Sequence, residues 1–155
     1  MRHDERTLST SRTLPFTPQA IYGAFAAPEL LARWWGPAGF TNTFETFEFR
    51  PGGRWTFVMH GPDGTDYANS NRFESLEPDR RVVVRHDGQP FFTLTISLTP
   101  VGGGTLLEWD QTFDDAQTAD AVRHRVDPAN EQNLDRLTRV LNDTITTHPP
   151  PEATP

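Results

Sequence analysis

Four polar side chains, Asn69, Asn71, His86 and Gln111, fall where strand alternation gives them aromatic and aliphatic neighbours. Amides and an imidazole in such company need hydrogen bonds from each other, from water or from the polar end of a ligand. His86 is the only histidine whose parity turns it to that side. A general base there would need a carboxylate to orient it. Glu74, Glu108 and Asp110 fall on the opposite face, so alternation supplies no such partner and no catalytic residue is assigned. The sites that remain are binding sites: a few polar anchors in an apolar lining.

Other reactive signatures fail on spacing. With no cysteine, disulfides, thiol nucleophiles and thiolate metal sites are excluded. His60, His86 and His124 lack ligand spacing, and Asp63-Gly64-Thr65-Asp66 is too short for a calcium loop. Gly102-Gly103-Gly104-Thr105 has a hairpin context rather than the strand-to-helix context of a phosphate loop. No Gly-x-Ser-x-Gly occurs. We expect no metal and no cofactor.

The 155 residues suffice for one domain with a real core. Hydrophobic content is only 35%, yet aromatic content is 11%, so the apolar mass sits in large flat rings suited to lining a cavity. The formal charge is -7 and all 14 basic residues are arginine, without a concentrated basic stretch. Nucleic acid is therefore not an expected partner. No apolar run approaches the ~18 residues of a membrane span, and the first six residues lead into no apolar signal segment. A cytoplasmic location is the expectation. Residues 7–147 read as the single domain, with 1–6 and 148–155 as flexible ends.

Several elements must position the polar set. Leu8 to Leu14 reads as a strand. Thr17-Pro18 caps and opens a helix, with Phe16 and Ile21 as a hydrophobic staple. Pro28 to Trp35 reads as a second short helix ending at Gly36-Pro37, which would turn Trp34 and Trp35 different ways and leave one partly exposed. Strands follow over Phe40–Phe49, which reads as alternating with Phe47 and Phe49 on one face, and over Arg54–His60, Asp66–Leu76, Arg81–His86, Phe92–Thr99 and Thr105–Thr112. The clearest is Phe92-Thr93-Leu94-Thr95-Ile96-Ser97-Leu98-Thr99, where apolar and hydroxyl residues alternate throughout. Helical sequence begins at Asp114-Asp115 and starts anew at Asp127-Pro128. Leu134, Leu137, Leu141 and Ile145 then form one stripe, with Asp135, Arg136, Arg139 and Asp143 facing outward. The order predicts an α+β fold: a curved antiparallel sheet of about seven strands wrapped around a long C-terminal helix, with two short helices after the first strand.

Trp34-Trp35-Gly36-Pro37, Pro51-Gly52-Gly53-Arg54-Trp55, Leu76-Glu77-Pro78, Gly103-Gly104-Thr105 and Asn133-Leu134-Asp135-Arg136-Leu137 occur in an order that resembles a known family. These runs are similar to bacterial homologues of the activator of heat-shock chaperone ATPase, in its C-terminal-type domain. That family lies in the START-like helix-grip superfamily, with plant pollen-allergen-like binders and polyketide cyclases. The resemblance spans roughly residues 7–147. It implies a cavity between sheet and helix without implying one activity.

Parity and resemblance together predict a ligand site. Trp35 comes from the end of the second short helix, and Trp55, Phe57, Met59, Asn69, Asn71, Phe73, His86, Leu94, Trp109 and Gln111 come from the sheet. Asn130, Asn133 and Leu137 come from the helix. The expected partner is a small apolar or aromatic molecule, bound by a monomer or homodimer. The rival readings are a cyclase- or dehydratase-like enzyme, a regulator of a chaperone ATPase, and a filled core whose sheet serves dimerisation.

Overall fold

A computed structural model of the protein describes residues 5–147, and side chains as far as residue 144. The expectations for the outermost termini and for the Ile145 side chain fall outside the described residues. The elements run β1 (Thr7–Leu14), α1 (Pro18–Ala26), α2 (Pro28–Trp34), β2 (Thr41–Phe47), β3 (Arg54–His60), β4 (Asp66–Glu77), β5 (Arg81–His86), β6 (Phe92–Val101), β7 (Gly104–Phe113) and α3 (Ala116–Thr147). All seven strands join one antiparallel sheet in the order β1-β7-β6-β5-β4-β3-β2. The two short helices and α3 cover one face, which is the α+β architecture the sequence predicts.

Local chemistry explains the element ends. Thr17 caps α1 by accepting from the Ala20 N–H at 3.1 Å, with Pro18 in the first turn. Asp115 caps α3 by accepting from the Thr118 N–H at 2.7 Å. Gly53 is required where the chain enters β3: a Cβ there would lie 2.0 Å from the Glu48 carbonyl oxygen. That close approach accounts for the second glycine of the Gly-Gly-Arg-Trp run.

The core is aromatic. Trp34, Trp55, Trp109, Phe25, Phe57 and Phe73 are fully buried, joined by Leu134 and Leu137 from α3. On the edge strand β1, Arg12 donates to Asp135 and Glu131 of α3, each at 2.8 Å, and Thr10 also donates to Glu131. These contacts fasten the helix to the end of the sheet.

Three expectations are corrected. The chain does not restart at Asp127-Pro128: α3 runs through Pro128 as one helix. An interior proline costs about 3 kcal/mol of helix propensity. Pro128 and His124 are exposed, so solvent can reach the carbonyl that loses its partner, and packing on both sides carries the helix through. β2 does not alternate plainly, because its register shifts between Phe44 and Thr46. This bulge lets Phe44 and Phe47, three residues apart, stack at 5.7 Å on the same side. Finally, both Trp34 and Trp35 are buried, neither left half-exposed. Trp35 caps α2 in extended backbone (φ -71, ψ 133), so its ring leaves the helical wheel and turns inward.

Candidate functional site

β4 is longer than its neighbour β5. Their pairing ends at Asn71–His86, and residues 66–70 of β4 remain paired only to β3. One further bond, Asp87 N–H to the Ser70 carbonyl at 2.9 Å, ties in the β5–β6 connection. Beyond it the sheet has a notch. Phe73 exchanges backbone bonds with Gly52 and Gly53 on the β3 side. Ala68, of opposite parity, therefore turns its N–H and C=O toward the notch.

A groove of about 690 Å³ occupies this notch. Phe40, Met59, Tyr67, Asn69 and His86 line its inner side, with Gln89 and Pro90 at the rim. Glu45, Thr56, Ser70 and Asp87 line its outer side. Deeper, between sheet and helix, is a recess of about 140 Å³ bordered by Trp35, Met59, Leu94, Trp109, Gln111, Asn130 and Asn133. Met59 borders both spaces.

The predicted polar residues find partners in pairs. His86 Nδ1 lies 2.8 Å from Asn71 Oδ1, and its ring stacks on Phe92 at 4.7 Å. With the amide oxygen facing it, Nδ1 carries the proton and Nε2 is left as an acceptor. Asn130 donates to Gln111 Oε1 at 3.1 Å. Asn69 donates to the Tyr67 carbonyl at 3.1 Å. Asn133 is fully engaged by backbone: it donates to Trp34 O at 2.7 Å and accepts from Gly36 N–H at 3.2 Å.

The predicted set therefore divides. Met59, Asn69 and His86 meet in the groove, and Trp35, Leu94, Trp109, Gln111, Asn130 and Asn133 meet around the recess. Trp55, Phe57, Phe73, Asn71 and Leu137 line neither and pack as core. Trp35 fills much of the space between sheet and helix, with its ring 4.9 Å from Trp55 and 6.0 Å from Trp109. The Trp55 and Trp109 N–H groups are buried without conventional partners. Steeply angled indole neighbours surround them, and ring faces are weak acceptors.

Sequence reasoning missed Phe40, Glu45, Tyr67, Asp87 and Pro90. The signal was the unequal length of β4 and β5, which parity does not measure. It also misplaced Arg136, expected on the outward face. Arg136 donates to the carbonyls of Arg33, Trp35, Gly36, Pro37 and Phe40 at 2.9–3.1 Å. A helical wheel cannot see the α2–β2 connection folding over that side chain.

Gly36 sits in this collar with φ +98, and a Cβ there would lie 2.7 Å from Met59 Cε. Gly36→Ala is expected to cost about 1–2 kcal/mol for the left-handed backbone alone, read as a lower urea midpoint. An unchanged midpoint would contradict this placement.

Burial lowers the pKa of His86, against a smaller opposing pull from Asp87. The folded protein thus holds the ring neutral. Below about pH 6.5, the ordinary histidine value, the unfolded chain takes up this proton first. Stability is retained above that pH and declines as pH falls through it toward the folded value. Urea midpoints at pH 7.5, 6.5 and 5.5 should fall more steeply for the native protein than for His86→Gln. Parallel profiles would contradict the assignment.

Among the described residues, no group of three His, Asp or Glu side chains is arranged to hold a metal ion, and no helix is long and apolar enough to cross a membrane. No curated protein matches the chain. Solved structures do. A Nitrosomonas europaea protein is 21% identical with TM-score 0.84, covering 94% of this chain and 99% of that one. An Arthrobacter aurescens protein is 22% identical with TM-score 0.82, covering 92% and 90%. A Chromobacterium violaceum protein is 25% identical with TM-score 0.79, covering 89% and 98%. These likenesses establish the fold. The family model for "Activator of Hsp90 ATPase homolog 1-like protein" matches residues 15–142, most of the domain, and the chain belongs to that family.

Proposed function

We propose that this protein binds a small, largely apolar or aromatic molecule at the mouth between sheet and helix. The observation that carries this reading is the position of Met59, which borders both the groove and the recess. A flexible thioether at that junction can shift to admit a ligand from the groove toward the aromatic core. The groove volume falls within the range of small-molecule sites, and its lining sets Phe40, Met59, Tyr67 and Pro90 beside polar side chains that include Asn69 and His86. His86 Nε2 and the open Ala68 backbone groups are available to orient a ligand. The hydrogen-bond partner of His86 is an amide, not a carboxylate, which favours binding over acid–base catalysis.

A thermal-shift screen against neutral aromatic compounds tests this. At a concentration about 100-fold above Kd, a ligand adds about 2.7 kcal/mol and raises Tm. The rise should disappear in Asn69→Trp, where a large ring fills the groove from a half-buried position. No shift from any compound, or a shift that persists in Asn69→Trp, would refute the proposal.

A further inference from the structure

The outer face of the sheet carries a second cluster of reactive side chains. Thr41, His60 and Asp66 stand in one row across β2, β3 and β4, with Thr43 diagonal to His60. Trp55 and Phe57 are buried on the inner face, so alternation turns His60 and these neighbours the other way. His60 Nδ1 lies 2.7 Å from Asp66 Oδ1, and His60 Nε2 lies 2.7 Å from Thr43 Oγ1. A carboxylate only accepts, so Nδ1 carries the proton, and Nε2 of the neutral ring accepts from the Thr43 hydroxyl. The order is nucleophile, base, orienting carboxylate, with both spacings in the range such groups require. Thr43 and Asp66 are exposed, His60 is partly buried, and none of the three lines the groove or the recess. A backbone donor for a developing oxyanion is one residue away. The even residues of β3 bond to β2, as the Arg54 carbonyl accepting from the Glu48 N–H shows. Phe44 faces the odd Phe57, so its N–H points off the edge of the sheet. The N–H of the residue after the nucleophile is a recurrent oxyanion donor.

We propose that Thr43 is an acyl-accepting nucleophile, with His60 as its general base and Asp66 as the positioning residue, and that its substrates are esters with a good leaving group. This activity is independent of ligand binding at the groove. Thr43 Oγ1 attacks the acyl carbon and forms the new C–O bond while its proton passes to His60 Nε2. The ester C–O bond then breaks, and the departing oxygen takes the proton from Nε2. Water hydrolyses the acyl-threonine in the same way: its proton passes to Nε2 and on to Thr43 Oγ1, which leaves. The cluster lies on an open sheet face, so it discriminates little among acyl groups. An amine leaves less readily than an activated oxygen, so peptides and amides fall outside the class. The chain has no lysine and no cysteine, which leaves few side chains to compete for an activated acyl group.

p-Nitrophenyl acetate tests the assignment on the full chain at pH 8, with p-nitrophenolate release and the mass of acid-quenched protein as the two readouts. The native protein should release p-nitrophenolate about tenfold faster than Thr43→Val, and peptide mapping should place an acetyl group on Thr43. Thr43→Ser should keep the activity. His60→Gln should lower the rate about tenfold, and Asp66→Asn severalfold, with circular dichroism unchanged in each variant. Release that survives Thr43→Val would make the imidazole itself the nucleophile. Release unchanged in His60→Gln would leave Thr43 without its base. Either result overturns the proposal, as does a quenched protein with no acetyl group on Thr43.

Discussion

Arg136→Met is expected to destabilise the fold by about 3–4 kcal/mol. The guanidinium bonds five carbonyls spread over Arg33 to Phe40, tying α3 to the end of α2 and to the connection that leads into β2. Hydrogen bonds to a charged group contribute about 1.5–3 kcal/mol each and are not additive within one network, so the total stays well below their sum. Methionine matches the side-chain length and removes every donor. Arg136→Lys should recover only part of the loss, because one ammonium cannot span acceptors arranged around a planar fork. Urea denaturation at pH 7 measures both. A near-native Arg136→Met midpoint would mean that these carbonyls are as well served by water.

Trp35→Ala is the second large expected effect, at about 3–5 kcal/mol, the usual range for removing a buried indole. The Trp35 ring touches Trp34, Trp55 and Trp109, with centroids at 5.7, 4.9 and 6.0 Å. Trp34 should stay in place, anchored by its N–H to the Ala24 carbonyl at 3.1 Å. The variant should therefore keep its fold and gain an apolar void next to the recess. Indole added to Trp35→Ala should raise its Tm more than it raises that of the native protein. A small loss of stability, or no rescue by indole, would mean that the helices collapse onto the sheet and close the space.

Much of the scaffold was legible because most of the strands obey a local rule. The alternation of Phe92 to Thr99 needs only a sheet with one wet face, and Thr17-Pro18 carries its own cap chemistry. What could not be read depends on backbone events that alternation and helical wheels assume away. Glu45 leaves the β2 register, Trp35 leaves the α2 wheel, and Pro128 stays inside α3. The candidate site followed the same division. Parity brought Asn71 and His86 to one side, where they bond each other. The expected ranges already made β4 longer than β5, but parity does not say which residues border the gap this leaves, so Tyr67 and the Asp87–Pro90 segment went unassigned to the site although they border the groove. Arg136 was misplaced for a related reason, since its partners come from a connection without periodicity.

The most direct test of ligand binding at the groove is an amide-resolved NMR titration of the native protein with 2-naphthalenemethanol. The result expected is saturable shifts clustered at Met59, Ala68, Asn69, His86 and Gly88, with the outer ends of β1 and β7 unmoved. Shifts that fail to saturate, or that gather on a face away from the notch, would contradict it.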